Sequence, residues 1–127
     1  MIVLDASVLI AHLDANDVHH EESVALLRDA AGQELAANVI TVAEVMVGPA
    51  RARRAHVLEE ALAALGVRRV ALLADDAAPL ATLRATTGLR MPDCCVLLTA
   101  RSAGATLATM DRRLTETARR LGVVVVP

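Results

Sequence analysis

This 127-residue chain contains no phenylalanine, tyrosine or tryptophan. Proteins that grip single-stranded nucleic acid stack bases on aromatic rings. Any such contact here falls to backbone, arginine planes or histidine. Lysine is absent as well, all 13 basic residues being arginine, which excludes mechanisms that need a lysine amine. No apolar run approaches the ~18 residues required to cross a bilayer. No positive region precedes the N-terminal apolar stretch, so no export signal is visible, and a cytoplasmic protein is expected. Cys94 and Cys95 are adjacent inside an apolar stretch. Neighbouring cysteines rarely pair, so both read as small buried thiols, and no Cys/His metal spacing exists.

What is present fits one small domain spanning 1–127, long enough to bury one core. Hydrophobic residues make up 55% of the chain and the net charge is −2, from 13 basic and 15 acidic residues. Arginines occur in pairs at Arg53-Arg54, Arg68-Arg69, Arg112-Arg113 and Arg119-Arg120. Such pairs grip phosphates bidentately, but they also serve as solvated helix faces. A mean hydropathy of +0.48 in so short a chain hints at a self-association surface.

Strand and helix signals alternate. Ile2–Leu4, Leu35–Ile40, Val67–Leu73, Ala105–Met110 and Val123–Val126 read as strands. Helices are expected over Ser7–Leu13, from a cap at Asp17 to Asp29 with Val18, Ala25 and Leu26 inward, from a cap at Thr41 to Gly48-Pro49, and over Arg51–Leu65. Others run from Asp75 or Asp76 to Thr87, over Pro92–Ser102, and over Asp111–Leu121. Strands separated by helices predict an α/β fold: a mainly parallel sheet of four to five strands between two helical layers.

Four carboxylates stand out against this pattern. Asp5 ends the apolar run Met1–Leu4, and Asp111 ends Ala105–Met110. Asp93 follows Pro92 at a helix start, and Glu44 lies three residues beyond Thr41. Each has an ordinary explanation. Asp5 and Asp111 suit helix N-caps, Glu44 completes a capping box with Thr41, and Asp93 complements a helix dipole. Their shared placement is less ordinary. If the apolar runs are parallel strands, all four fall at the carboxyl edge of one sheet, where open α/β folds bind ligands. Convergent carboxylates are costly to bring together without a hard cation, so a divalent-metal site is expected.

Asp5-x-Ser7, Thr41-x-x-Glu44, Pro92-Asp93 and Thr109-x-Asp111, in this order and across essentially the whole chain, resemble the PIN-domain nucleases. The likeness is strongest to the VapC-type ribonuclease toxins of bacterial toxin–antitoxin pairs. It extends through Val8–Asp14, Asp17–His20, Ala43–Gly48, Asp93–Ala100 and Leu107–Asp111. Met110, and the two cysteines after Asp93, depart from common family usage without removing an acid. The resemblance implies a metal-dependent endoribonuclease cutting structured RNA, tRNA or rRNA, held inactive by a cognate VapB-type antitoxin. Asp5, Glu44, Asp93 and Asp111 would be its catalytic and metal-binding quartet. Ser7 and Thr109 would be hydroxyls that orient carboxylates. Mg²⁺, or alternatively Mn²⁺, is the implied cofactor, as one ion or two. In-line attack by water predicts 5′-phosphate and 3′-hydroxyl ends. A homodimer is implied, with Arg51–Leu65 and Asp75–Thr87 as candidate faces, and the antitoxin is expected to set a basic side chain among the acids.

Other readings compete. His12 reads as a packed histidine, His19 and His20 as surface polarity on a first helical turn, and His56 as exposed, so a histidine acid–base mechanism lacks a matched pair. A receiver-type signalling switch needs a lysine that this chain lacks. A DNA flap nuclease needs additional helical elements. A catalytically silent PIN-like module that binds RNA or protein remains the main alternative. Such modules typically lose one or more acids.

Overall fold

The computed structural model describes residues 1–127. Five strands, β1 (Ile2–Leu4), β2 (Leu35–Asn38), β3 (Val67–Val70), β4 (Thr106–Ala108) and β5 (Val125–Val126), form one sheet in the order β3-β2-β1-β4-β5. Every pairing is parallel, with Val3 opposite Ala36 on one side and Leu107 on the other. Seven α-helices connect them: α1 (Ala6–Leu13), α2 (His20–Asp29), α3 (Val39–Arg51), α4 (Ala55–Ala64), α5 (Ala77–Thr87), α6 (Met91–Ala103) and α7 (Arg112–Arg120).

Strand alternation sorts the core into two layers. Ile2, Leu4, Leu35 and Ala37 point to one face and bury against Val8, Leu9, Leu27, Val42, Leu58 and Leu62 of α1–α4. Val3, Leu107 and Val125 point to the other, against Leu83, Val96, Leu97, Leu114 and Ala118 of α5–α7. This is the expected three-layer α/β/α arrangement. Because β1 is central, the end of β1 and the helix starts beside it define one carboxyl edge.

Several boundaries differ from expectation. β2 stops at Asn38, whose side-chain oxygen accepts from Thr41 N–H at 2.9 Å. Asn38 therefore caps α3, Val39 and Ile40 are already helical, and the capping box between Thr41 and Glu44 does not form. Pro49 does not stop α3; the helix runs two residues further to Arg51. A proline there forgoes the hydrogen bond its missing N–H would have made and crowds the carbonyl of Val45, but so near the helix end only one further turn depends on it. Arg53 at φ 55° then turns the chain, so the helix read as Arg51–Leu65 begins at Ala55. Asp17 binds the His19 amide at 2.8 Å, while α2 starts at His20. Ser23 and Leu27 are its buried residues, and Val18 is exposed. β1 coincides with its expected run, while β3, β4 and β5 are two to three residues shorter than the apolar runs that signalled them.

Candidate active site

Asp5 sits one residue past β1 with its backbone N–H bonded to Ala108 O at 2.9 Å. It occupies the N-cap position of α1 but makes no cap hydrogen bond. Its buried carboxylate is turned instead toward β4. Ser7 Oγ donates to Oδ2 at 2.5 Å, and Thr109 Oγ1 donates to the same oxygen at 2.8 Å. Both hydroxyls spend their protons on one oxygen, leaving Oδ1 for an incoming group. The hydroxyls also fix the following turn: Ser7 Oγ accepts from Met110 N–H and Thr109 Oγ1 from Asp111 N–H, both at 3.0 Å.

Glu44 is half-buried on α3, one and a half turns past the Asn38 cap. Burial and the charges of Asp5 and Asp93 push its carboxyl above the usual carboxylate range, while Arg90 pulls it down. Asp93 lies in the first turn of α6, nearly buried. Burial raises its carboxyl as well, opposed by hydrogen bonding to Arg90 and assisted by the charges of Asp5 and Asp111. Asp111 is exposed and performs the N-cap role: Oδ1 accepts from Leu114 N–H at 2.7 Å at the start of α7.

The four acids thus share the carboxyl edge and act on one another electrostatically. They do not close on a single point: no three acidic, histidine or cysteine side chains stand close enough together to hold a metal ion between them. The convergence expected of them is therefore looser than a closed metal cage. Like charges repel across the site, and three of the acids already have other partners: Asp5 the two hydroxyls, Asp93 the guanidinium of Arg90, and Asp111 the α7 amide.

A family model for the PIN domain matches residues 2–120. The chain belongs to the PIN-domain family. Among solved structures, FitAcB from Neisseria gonorrhoeae is 28% identical with a TM-score of 0.76, over 100% of this chain and 97% of that one. VapBC2 from Rickettsia felis, bound to a DNA fragment from its promoter, is 18% identical with a TM-score of 0.73, over 99% and 98%. VapC20 from Mycobacterium tuberculosis, a sarcin-ricin-loop-cleaving toxin, is 16% identical with a TM-score of 0.77, over 92% and 95%. The latter two establish likeness of fold alone. No curated relative matches by sequence.

The donor chemistry of this PIN domain fits a hard cation. All four groups offer oxygen, two have raised carboxyls in want of positive charge, and Arg90 is the one cation bearing on them. An ion such as Mg²⁺, which takes oxygen ligands and keeps several of its waters, would need only one or two of these carboxylates directly. The thiols of Cys94 and Cys95 are buried, their ionisation pushed up by burial, and offer no nucleophile.

Sequence reasoning passed over two residues of this PIN domain. Asn38 is fully buried, caps the helix that carries Glu44 and reaches Thr99 Oγ1 of α6 at 3.4 Å. An asparagine ending an apolar run is the signal that could have found it. Arg90 reaches both oxygens of Asp93, and nothing in the sequence separates it from twelve other arginines. Several of those are committed elsewhere: Arg68 to Glu34 at 2.5 Å, Arg69 to Glu59, and Arg112 to Glu116 at 3.0 Å. No helix is long and apolar enough to cross a membrane.

Proposed function

We propose that this protein is a metal-dependent endoribonuclease of the toxin type, acting on a structured tRNA or rRNA and neutralised by a cognate VapB-type antitoxin. The observation that carries the reading is the carboxyl-edge cluster of Asp5, Glu44, Asp93 and Asp111, with Asp5 locked by Ser7 and Thr109. A bound Mg²⁺ or Mn²⁺ supplies charge neutralisation at the scissile phosphate and a more acidic water.

The chain's own contribution is orientation. Ser7 and Thr109 both donate to Oδ2 of Asp5 and leave Oδ1 without a side-chain partner. Glu44 and Asp93, whose carboxyls are raised first of all by burial, stand where a bound cation would compensate their charge. Asp111 keeps one oxygen on the α7 amide and has the other free to accept from a water or hydroxyl of the substrate. A water-derived nucleophile predicts 5′-phosphate and 3′-hydroxyl products.

Apolar cavities away from the acids support the partner part of the reading. One of about 340 Å³ lies among Leu13, Pro49, Ala52, Val57, Leu58 and Ala61, and another of about 360 Å³ runs under α2 beside Ile2 and Val126. An amphipathic antitoxin helix suits such grooves, and an arginine from it would compensate the acidic edge. A homodimer through α4 or α5 completes the proposal. The test is incubation of pure protein with total cellular RNA in Mg²⁺, Mn²⁺ or chelator, followed by sequencing of 5′ ends. Discrete 5′-phosphate cuts that vanish in chelator are expected. Cuts that persist in chelator, or carry 2′,3′-cyclic phosphates, would overturn the mechanism, and the complete absence of cutting would favour the catalytically silent module.

A further inference from the structure

Arg90 occupies an electrostatically awkward place. It is the N-cap residue of α6 and makes no side-chain cap hydrogen bond. A helix N-terminus carries partial positive charge and disfavours a cation. Yet the guanidinium turns back along the helix start and faces both oxygens of Asp93, Nε to Oδ2 at 3.4 Å and Nη2 to Oδ1 at 3.5 Å. The charges of Glu44 and Asp111 bear on it too. An ordinary exposed pair at i,i+3 has one partner; this arginine answers three of the four acids.

The pairing is loose. Charge-assisted N–H···O bonds settle near 2.7–2.9 Å, and these, at 3.4 and 3.5 Å, are longer by at least half an ångström. The Arg90 side chain is 72% exposed against 13% for Asp93. The anion is largely enclosed, while the cation stands in solvent on a long stem. Both Asp93 oxygens that a metal would use are the ones the guanidinium covers.

We propose that Arg90 is a resident counter-cation, which covers Asp93 in competition with the divalent ion and, once displaced, grips a phosphate of the RNA beside the cut. This rests on the nuclease reading and adds a residue to it. Displacement leaves a planar, permanently charged fork at the rim of the acidic edge, and that fork matches phosphate geometry. In a chain without lysine or aromatics, it supplies a substrate contact where the acids alone would repel RNA.

The test compares Arg90→Gln and Arg90→Lys with the wild type, all checked for folding by circular dichroism. Mn²⁺ affinity is read by electron paramagnetic resonance without RNA, and cleavage is measured at saturating Mg²⁺. Removing one competing charge at an exposed site is expected to tighten Mn²⁺ binding about fivefold in Arg90→Gln. KM for RNA rises while kcat changes less, and the salt dependence of kcat/KM becomes shallower by about 0.7 in log–log slope, the share of one phosphate. Arg90→Lys restores the salt slope. Wild type that binds Mn²⁺ and cleaves RNA, with Arg90→Gln binding Mn²⁺ no more tightly or keeping the wild-type salt slope, overturns this inference alone. Wild type that neither binds Mn²⁺ nor cleaves overturns the nuclease reading with it.

Discussion

Thr109→Val keeps the side-chain shape and deletes one hydroxyl, which makes it a sharp probe of how Asp5 is held. The hydroxyl is buried, donates to Asp5 Oδ2 at 2.8 Å, accepts from Asp111 N–H at 3.0 Å and lies 3.3 Å from Ser7 Oγ. A hydrogen bond to an ionised group contributes about 1.5–3 kcal/mol. Ser7 still serves the same oxygen, which puts the loss near the lower end. The Asp111 amide loses its acceptor, adding roughly 1 kcal/mol. The total, about 2–3 kcal/mol, corresponds to a fall in Tm of roughly 8–12 °C for a chain of this size. Cleavage should fall about 10- to 100-fold, as when the partner that orients a metal-binding group is removed. Urea denaturation at pH 7 and initial rates at saturating Mg²⁺ read both quantities. Ser7→Ala should cost less, and the double variant should depart from additivity because both hydroxyls share Oδ2. A Thr109→Val protein that unfolds and cleaves like the wild type would refute the reasoning.

Three further outcomes follow from named residues. Glu44 has a raised carboxyl, so the folded state binds its proton more tightly than the unfolded chain does; its contribution to stability is present at low pH and is lost as pH rises through the folded value. Glu44→Gln should therefore unfold at higher urea than the wild type at pH 7, an advantage that disappears on acidification, while cleavage drops more than about 100-fold; lower stability at pH 7 would contradict this. Asn38→Ala removes the α3 cap and the reach to Thr99, and should cost about 2 kcal/mol in urea denaturation; a loss below about 0.5 kcal/mol would mean that Asn38 is not the cap that matters. His12, with its Nδ1 buried and unpartnered, has its ionisation lowered from 6.5 by burial and then by His20. Its neutral form is favoured in the fold, so this contribution to stability is present above pH 6.5 and lost below it. His12→Leu should flatten the fall in stability between about pH 7 and pH 5, and an unchanged slope would exclude His12 as its source.

The fold was legible because apolar runs and helix stops carry most of the signal in parallel α/β proteins. Where the apolar run overshot at Val39-Ile40, the residues are β-branched and suit either element, and the buried cap Asn38 decides for the helix; at Leu72-Leu73 the run continues past the end of β3 into irregular chain with Leu73 exposed. Pro49 misled because a proline near a helix end breaks one bond rather than the helix. At the site, the edge placement of the acids was readable from where each run ends, but their spacing was not. Sequence gives no account of side-chain direction, and so no hint that Asp93 faces Arg90 or that Asp111 folds back on Leu114 N–H. The N-cap reading holds for Asp111. It fails for Asp5, whose carboxylate is drawn to Ser7 and to a threonine 104 residues away.

The central claim is that the carboxyl-edge acids act together in binding divalent cation. Titration of the folded protein with Mn²⁺, compared with Asp93→Asn and Asp5→Asn, tests it most directly. Saturable binding to the wild type that weakens more than about tenfold in each variant is predicted. Wild-type and variant proteins with the same Mn²⁺ isotherm, or a wild type that does not bind Mn²⁺ at millimolar concentration, would contradict it.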